Sequence, residues 1–382
     1  MIFEEKISTL NEYYFFKEFT YSNNKFRKKD GQEIEIADNI ISLDEIFIVF
    51  QAKERISLDK PSTEKEDTWF EKKVKKKATK QIRDTLQYLK TYDEIVLNNQ
   101  QGDDSNISTD KIKSLQKIVL FSPTDFLSPE NLELKFYNSQ TAGIIHIISF
   151  ENYETIVRTL ITPAEVYEYL EFREDLINEY GKIVNSVSEE SLLGQYIVDE
   201  TGSSPNNRYS ENLLRLKFDI KTWDVRTLIH LFPNEITRSN KRTDYYYIIR
   251  EIAKLMRNEL QCIKERYILS IESSKKNLKD LPYRIAIPRL DLGFVFIPIC
   301  WNERALRKNG LTNFTLGHKY EQKLRKCIGA TFLYEMDGTF SIEWCYINIP
   351  WEKDHGMEKM LQESYPFRKL NKKLIYRYNV HQ

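Results

Sequence analysis

Two short apolar runs lie on either side of Leu43-Asp44-Glu45, in the stretch from Glu33 to Lys53. Each run has the length of a β-strand, and the turn between them favours antiparallel pairing as a hairpin. Because side chains alternate along a strand, Gln51 and Lys53 share one face of the second run. Asp38 is a lone carboxylate in the apolar row of the first run. A hairpin therefore brings Asp38 to the same end of the sheet as Gln51 and Lys53.

Oxygen donors and an ammonium group meet at that end of the predicted hairpin. Asp38, the side-chain carbonyl of Gln51 and the backbone carbonyl of Ala52 are the kinds of ligand that a hard divalent cation such as Mg²⁺ or Mn²⁺ prefers. Lys53 could orient or deprotonate a bound water, or hold a phosphate oxygen. These residues predict metal-assisted phosphodiester hydrolysis, with Asp38, Gln51 and Lys53 as the catalytic residues.

Asp38 followed by Gln51-Ala52-Lys53 resembles the core signature of the PD-(D/E)xK, or restriction-endonuclease-like, superfamily. The arrangement is most similar to the Mrr-like branch, in which glutamine replaces the middle acid. The resemblance covers about the first third of the chain, and it departs from the signature in having no proline before Asp38. It implies an α/β fold whose mixed sheet is flanked by helices, and a divalent-metal-dependent nuclease that prefers DNA to RNA. It also implies a role in prokaryotic restriction or antiviral defence.

The opening helix of the resembled fold often contributes another acid to the metal. Apolar residues at helical spacing predict such a helix over residues 2–16. Glu12 is the candidate that we assign to the metal, beside Glu5 and Glu18. The alternative is that these acids are solvated on the helix surface, as most are.

A second helix is predicted from apolar residues that recur every four positions, at Phe70, Val74, Ala78, Ile82 and Leu86. In the resembled fold the long core helix follows the Q-x-K strand, and Lys77, Lys80 and Gln81 would border the active site. Together with Lys73 and Lys76 they would contact the nucleic-acid backbone with salt-sensitive affinity. The alternative is a solvated face that maintains solubility. The formal net charge of the chain is zero, so any positive surface is a local patch.

The remaining elements of the first part complete this arrangement. Strands are predicted within residues 16–26, at 117–121 and at 143–150, so the order helix, strand, strand, strand, helix, strand ends at Phe121. Residues 98–110 are expected to form a polar loop. Glu33 and Glu35 are expected to face away from Asp38 in a regular strand. His146 is expected in the sheet core, not as a general base.

A capping box at Thr162-Pro163-Ala164-Glu165 predicts the start of a helix and of a second part of the chain. We therefore expect a nuclease domain over residues 1–160 and an α+β accessory or recognition domain over 161–382, with a sub-boundary near 202–212. In the second domain the sequence predicts one long helix over 245–263, strand structure over 284–301 and a hairpin around residues 336–338.

Two features of the second domain have alternative interpretations. A row of apolar side chains on the last predicted strand, Phe340, Ile342, Trp344 and Tyr346, is expected to form half of a core, although it could stack bases. The basic residues within 367–377 could add to a nucleic-acid surface or stay solvated.

The sequence lacks the motifs that are typical of several other classes of function. The chain has no phosphate-binding loop, no dinucleotide fingerprint and no paired cysteines at zinc-binding spacing among its four cysteines. Its start lacks the pattern of a signal peptide, and no apolar run is long enough to span a bilayer. We therefore expect a cytoplasmic protein with no membrane partner.

Two other functions remain open on the sequence. Gln51 removes one negative charge from the metal site, so the first alternative is a catalytically inactive nucleic-acid-binding or assembly module. The second is a structural cluster without a nucleic-acid partner. Because double-strand cleavage usually needs two active sites, we expect a homodimer or a partner protein.

Overall fold

The computed structural model describes residues 2–22, 24–27, 31–55, 62–112, 114–198, 202–216, 220–236, 239–370 and 378. The chain divides into two compact units, one of residues 1–217 with 378–382 and one of residues 218–377. This division lies nearer to the predicted sub-boundary at 202–212 than to the predicted boundary at 160.

The first unit alternates helices and strands. Its helices are α1 (Phe3–Phe15), α2 (Thr63–Trp69), α3 (Ala78–Thr91), α4 (Pro129–Leu132), α5 (Phe150–Leu160), α6 (Pro163–Tyr180), α7 (Glu189–Ile197) and α8 (Ser210–Arg215). Its strands are β1 (Thr20–Ser22), β2 (Lys25–Arg27), β3 (Glu33–Glu35), β4 (Asn39–Leu43), β5 (Ile46–Lys53), β6 (Glu94–Asn98), β7 (Asp104–Ser108), β8 (Ser114–Phe121), β9 (Phe136–Ser139) and β10 (Gly143–Ser149). A π-helical segment, Phe70–Lys77, joins α2 to α3.

Six of these strands form one mixed sheet in the order β1-β4-β5-β8-β10-β9. The central strands β5, β8 and β10 are parallel, and the outer pairings are antiparallel. Helix α3 packs on one face, whereas α1, α5 and α6 pack on the other. The predicted α/β class, with a mixed sheet flanked by helices, is confirmed.

The helix over residues 63–91 follows the predicted apolar pattern. Phe70, Val74, Ala78 and Ile82 are fully buried and pack against β8 and β10. A strict spacing of four is longer than the α-helical period of 3.6, so the stripe would drift away from the sheet in a straight α-helix. The wider turns of the π-helical segment compensate for this drift and keep the stripe on the sheet.

The predicted hairpin forms, but only part of its first run is in it. Strands β4 and β5 pair around Asp44-Glu45, with Ile40 opposite Val49. Contrary to the prediction of one continuous strand, Glu33–Glu35 pairs with β2 in a separate two-stranded sheet. The chain leaves the ladder at residues 36–38, where Asn24 accepts the hydrogen bond of the Ile36 amide.

Two more local predictions were wrong. The segment predicted as a polar loop, 98–110, contains β7, which pairs with β6 because Ile95, Leu97 and Ile107 add to the core beneath β4 and β5. The strand predicted within 16–26 is split into a 3₁₀ turn at Lys17–Phe19, followed by β1 and β2. Short polar segments therefore become strands where their few apolar residues reach the core.

A buried polar network joins the sheet to the helices after residue 160. The Thr162 hydroxyl caps α6 as predicted, accepting from the Glu165 amide at 3.1 Å. The fully buried Arg173 contacts His146 Nδ1 at 3.0 Å and forms an ion pair with Glu189 of α7. His146 lies in the sheet core, as expected, and burial followed by the Arg173 charge holds its pKa well below the ordinary value.

The second unit contains a four-stranded mixed sheet. Its helices are α9 (Ile220–Trp223), α10 (Arg226–Glu235), α11 (Tyr246–Ala253), α12 (Arg257–Lys275), α13 (Arg307–Glu321) and α14 (His355–Glu363), and its strands, in spatial order, are β11 (Tyr283–Ile287), β12 (Leu292–Ile299), β13 (Lys326–Tyr334) and β14 (Phe340–Asn348). The predicted hairpin of β13 and β14 is confirmed. The helix predicted over 245–263 is broken into α11 and α12 at residues 254–256.

The aromatic row on β14 is covered by helices. Trp344 packs on Phe232 of α10, with ring centroids 5.2 Å apart, and Tyr346 stacks on Tyr247 of α11 at 5.7 Å. The row therefore packs against helices, in the direction of the prediction, although its four side chains are only half-buried. Of the basic segment 367–377, residues 371–377 lie outside the described residues, while Arg368 forms an ion pair with Asp280. Across the described chain, no helix is long and apolar enough to cross a membrane.

Candidate active site

Asp38, Gln51 and Lys53 come together at the end of the β4–β5 hairpin, as the sequence predicts. The Lys53 ammonium lies 3.3 Å from Asp38 Oδ2, 3.3 Å from Gln51 Oε1 and 2.7 Å from the carbonyl oxygen of Ala52. Asp38 Oδ2 also accepts the Ala52 amide hydrogen at 2.6 Å. Gln51 is almost fully buried, and the side chains of Asp38 and Lys53 are each 10% exposed. The three predicted ligand oxygens therefore surround one cationic group.

The parallel pairing of the central strands sets the position of this cluster. Gln51 lies beside Val119 and Lys53 beside Phe121, so the cluster is at the carboxyl ends of β5 and β8. The Ser122 amide donates to the Lys53 carbonyl at 3.1 Å and holds the two strand ends together. In open α/β sheets, ligands bind outside the carboxyl ends of parallel strands.

The charges around Lys53 connect the hairpin to the lysine-rich helix. Burial lowers the pKa of Lys53, the Asp38 carboxylate opposes that shift, and Lys77 lowers the pKa further. Lys77 therefore borders the cluster electrostatically, as predicted for a residue at the start of the core helix. A buried ammonium with one carboxylate partner and a second cation nearby is suited to a phosphate group.

Two acids that the sequence analysis did not assign to the site, Glu4 and Glu35, interact electrostatically with Asp38. The pKa of Glu4 is raised by partial burial and then by Asp38, and the pKa of Glu35 is raised by the same two causes in the same order. Glu35 was expected to face away from Asp38 in a regular strand, but β3 ends at Glu35, so the period of two does not relate the two side chains. Glu4 is in the first turn of α1, where acids are favourable, and this position was the available signal.

The acids that we assigned from the opening helix have other partners. Glu12, the predicted additional metal ligand, accepts a hydrogen bond from the Ser8 hydroxyl at 3.0 Å. Glu5 caps α1 by accepting from the Ile2 amide at 3.2 Å, and Glu18 is buried in the 3₁₀ turn before β1. Glu4 is the acid of α1 whose charge acts on Lys53, and the metal-ligand role of Glu12 stays a prediction.

The predicted backbone contacts lie on the outer side of the helix over 63–91. Lys73, Lys76, Lys77 and Lys80 are exposed, and Lys76 has Glu71 Oε1 at 3.8 Å. Gln81 is half-buried, and its Oε1 atom has no hydrogen-bond partner among the residues that the structure describes. The helix therefore presents a run of ammonium groups whose inner end, at Lys77, borders the Asp38 cluster.

The oxygens of Asp38, Gln51 and the Ala52 carbonyl are the predicted ligands of a divalent cation. Within the described ranges, no three Asp, Glu, His or Cys side chains group together as a metal site. The predicted set has a different composition, with one carboxylate, one amide carbonyl and one backbone carbonyl. These three oxygens already surround the Lys53 ammonium at 2.7–3.3 Å. Carboxylate and carbonyl oxygens are the donor types that Mg²⁺ and Mn²⁺ prefer, so the chemistry of the set fits the metal, and a cation held by all three would take the place of the Lys53 ammonium.

Comparison with known proteins adds no relative. No protein-family model, no curated protein sequence and no solved structure matches this chain.

Proposed function

We propose that this protein is a divalent-metal-dependent nuclease of the restriction-endonuclease-like type, which hydrolyses DNA phosphodiester bonds in restriction or defence against foreign DNA. The observation that carries the proposal is the placement of Asp38, Gln51 and Lys53 around one point at the carboxyl ends of parallel strands. The order α1, β1, β4, β5, long helix, β8 supports it as well, once the strands of the two small separate sheets are set aside.

The roles of the residues follow from their chemistry. Asp38, Gln51 and the Ala52 carbonyl would hold a Mg²⁺ or Mn²⁺ ion, which polarises a phosphoryl oxygen and makes a bound water more acidic. Lys53 would hold a phosphate oxygen or take the proton of the attacking water, since burial lowers its pKa. Lys77, with Lys73, Lys76 and Lys80, would hold the DNA backbone. Gln81, predicted to contact the backbone as well, would do so through its side-chain amide nitrogen, since its Oε1 atom is buried.

The second candidate is a nucleic-acid-binding or assembly module without catalysis. It is favoured by the single carboxylate among the predicted ligands, because a metal held by one charge binds more weakly than one held by two. The exposed lysines would then bind DNA without cleaving it.

Cleavage of supercoiled plasmid at low salt distinguishes these functions. The protein is incubated with Mg²⁺, with Mn²⁺ or with EDTA, and a parallel series uses structured RNA. We expect nicking or linearisation of DNA that requires metal and is lost in Lys53→Met and Asp38→Asn. Equal cleavage by Lys53→Met would refute the role of that residue.

Lys326→Met is the matched control. Lys326 is a mostly buried lysine at the start of β13, and it forms an ion pair with Glu251 at 2.7 Å, so its loss also removes the nearer ammonium from a carboxylate, with Lys254 left at 3.9 Å. We expect this variant to cleave like the wild type. A salt-sensitive mobility shift without cleavage in either metal would favour the binding module, and neither shift nor cleavage would refute both functions.

A further inference from the structure

The peptide segment that carries Asp38 is not held by a strand ladder. Residues 36–38 lie between β3 and β4, which belong to different sheets. In a regular strand the ladder fixes the register of each side chain. Here other contacts must fix the direction of the Asp38 carboxylate.

One of these contacts comes from Asn24, which is 2% exposed. The main-chain carbonyl oxygen of Asn24 accepts from the Ile36 amide at 2.9 Å. Its side-chain Nδ2 donates to the Tyr21 carbonyl at 2.8 Å and to the Ala37 carbonyl at 3.4 Å. Asn24 therefore ties the peptide groups just before Asp38 to the end of β1.

The second contact comes from Thr85 on α3, which is 1% exposed. Its hydroxyl donates to the Ile36 carbonyl, and the same oxygen lies 3.0 Å from the Gln81 carbonyl. The helix that carries Lys77 and Gln81 is thereby joined to the segment that carries Asp38. Between them, Asn24 and Thr85 satisfy the Ile36 amide, the Ile36 carbonyl and the Ala37 carbonyl.

We propose that Asn24 and Thr85 are positioning residues of the active site, an inference that rests on the proposed nuclease function. They hold the segment 36–38 so that Asp38 faces the Ala52 amide and the Lys53 ammonium. The same segment fixes Glu35, the adjacent acid that couples to Asp38. Buried peptide groups need partners, so removing either side chain favours other conformations of the segment and moves the carboxylate. A displacement of about 1 Å at a reacting group can cost 100-fold in rate.

The test replaces Thr85 by valine, which keeps the shape and removes the hydroxyl. Partners that orient metal ligands typically contribute about 10- to 100-fold in metal affinity. We therefore expect Thr85→Val to weaken Mn²⁺ binding, measured directly by electron paramagnetic resonance, by about tenfold or more, and to raise the half-saturating Mn²⁺ concentration for cleavage in parallel. Thr85→Ser keeps the hydroxyl and should restore both values. The KM for DNA should stay near the wild-type value because the exposed lysines are unchanged.

The Mn²⁺ titration separates positioning from a folding defect. A folding defect lowers the fraction of active protein but leaves the half-saturating Mn²⁺ concentration unchanged. Thr315→Val is the matched control, because Thr315 is a fully buried threonine in the second unit whose hydroxyl bonds the Leu311 carbonyl at 2.6 Å. Asn24→Ala removes the side-chain bonds to the Tyr21 and Ala37 carbonyls and keeps the main-chain bond to the Ile36 amide, so we expect a smaller shift of Mn²⁺ affinity in the same direction as Thr85→Val.

The outcomes distinguish the two proposals. A wild-type protein that cleaves DNA, with Thr85→Val and Asn24→Ala at unchanged Mn²⁺ affinity, would overturn the positioning roles and leave the nuclease intact. Failure of Thr85→Ser to restore the affinity would also overturn the role of the hydroxyl. A wild-type protein that neither binds Mn²⁺ nor cleaves would overturn both proposals.

Discussion

The lysines on the helix over 63–91 provide a quantitative test of DNA binding. We consider the simultaneous replacement of Lys73, Lys76, Lys77 and Lys80 by glutamine, which keeps the length of each side chain nearly unchanged and removes four charges. Each phosphate contact made by a lysine releases a condensed counterion, and each contributes about −0.9 to the slope of log affinity against log salt.

The structure sets the size of the expected change. If all four lysines contact phosphates, the slope changes by about 3.6. Lys76 has the Glu71 carboxylate at 3.8 Å, which already neutralises part of its charge, so three full contacts and a change of about 2.7 set the lower limit. Between 50 and 200 mM salt, wild-type affinity should therefore fall about 40- to 150-fold more than that of the variant.

The assay is fluorescence anisotropy of a labelled 30-base-pair duplex in EDTA, at several KCl concentrations from 50 to 200 mM. The control variant replaces Lys275, Lys276, Lys308 and Lys359 of the second unit, which are also exposed. Lys359 has Glu363 at 3.8 Å, so this set also contains one lysine with a neighbouring carboxylate. The formal net charge falls from 0 to −4 in both variants, so global charge does not distinguish them. An unchanged slope in the helix variant, or an equal loss in the control, would refute DNA binding by this helix.

Three further predictions concern the stability of the fold, each measured by urea unfolding. Burial lowers the pKa of His318 to about 4, so the unfolded chain binds more protons as pH falls below about 6.5. His318 alone should contribute a loss of about 2 kcal/mol at pH 5, and His318→Gln should remove this part, whereas the buried His146 contributes a loss of the same sign that remains. Arg173→Met leaves the buried Glu189 carboxylate without its partner and should cost about 3–5 kcal/mol, with a smaller loss when Glu189→Gln is added. A Cβ on Gly194 would lie 1.9 Å from the Tyr209 carbonyl oxygen, so Gly194→Ala should cost about 3 kcal/mol. If Arg173→Met lowers the free energy of unfolding by less than about 0.5 kcal/mol, the argument from the buried ion pair is contradicted. The same result for Gly194→Ala would contradict the argument from close packing.

The central part of the first unit could be predicted from the sequence because its signals are local. Alternation of apolar residues and a two-residue turn identified β4 and β5, and apolar residues every four positions identified the helix over 63–91. The cluster followed from the strand period for Gln51 and Lys53 and from the predicted hairpin for Asp38. Gln51 and Lys53 share a face in any regular strand, so only the pairing with the segment of Asp38 had to be correct.

The rest depends on contacts between residues distant in sequence. The exit of the chain from β3 after Glu35 depends on Asn24 and Thr85, and no periodicity reveals it. The boundary predicted at residue 160 relied on a capping box, which marks the start of a helix but carries no information on which core the helix covers.

The network around Arg173 has a practical consequence for dissecting the protein. A fragment that stops at residue 160 would lose Arg173 and Glu189, leaving His146 in the sheet without its cationic neighbour. It would also uncover the apolar face of β8 and β10 that α6 protects, so we expect such a fragment to aggregate when expressed. A fragment extended to residue 216 keeps this layer. Work on the isolated first unit should therefore begin with the longer fragment, because failure of the shorter one would not test the proposed activity.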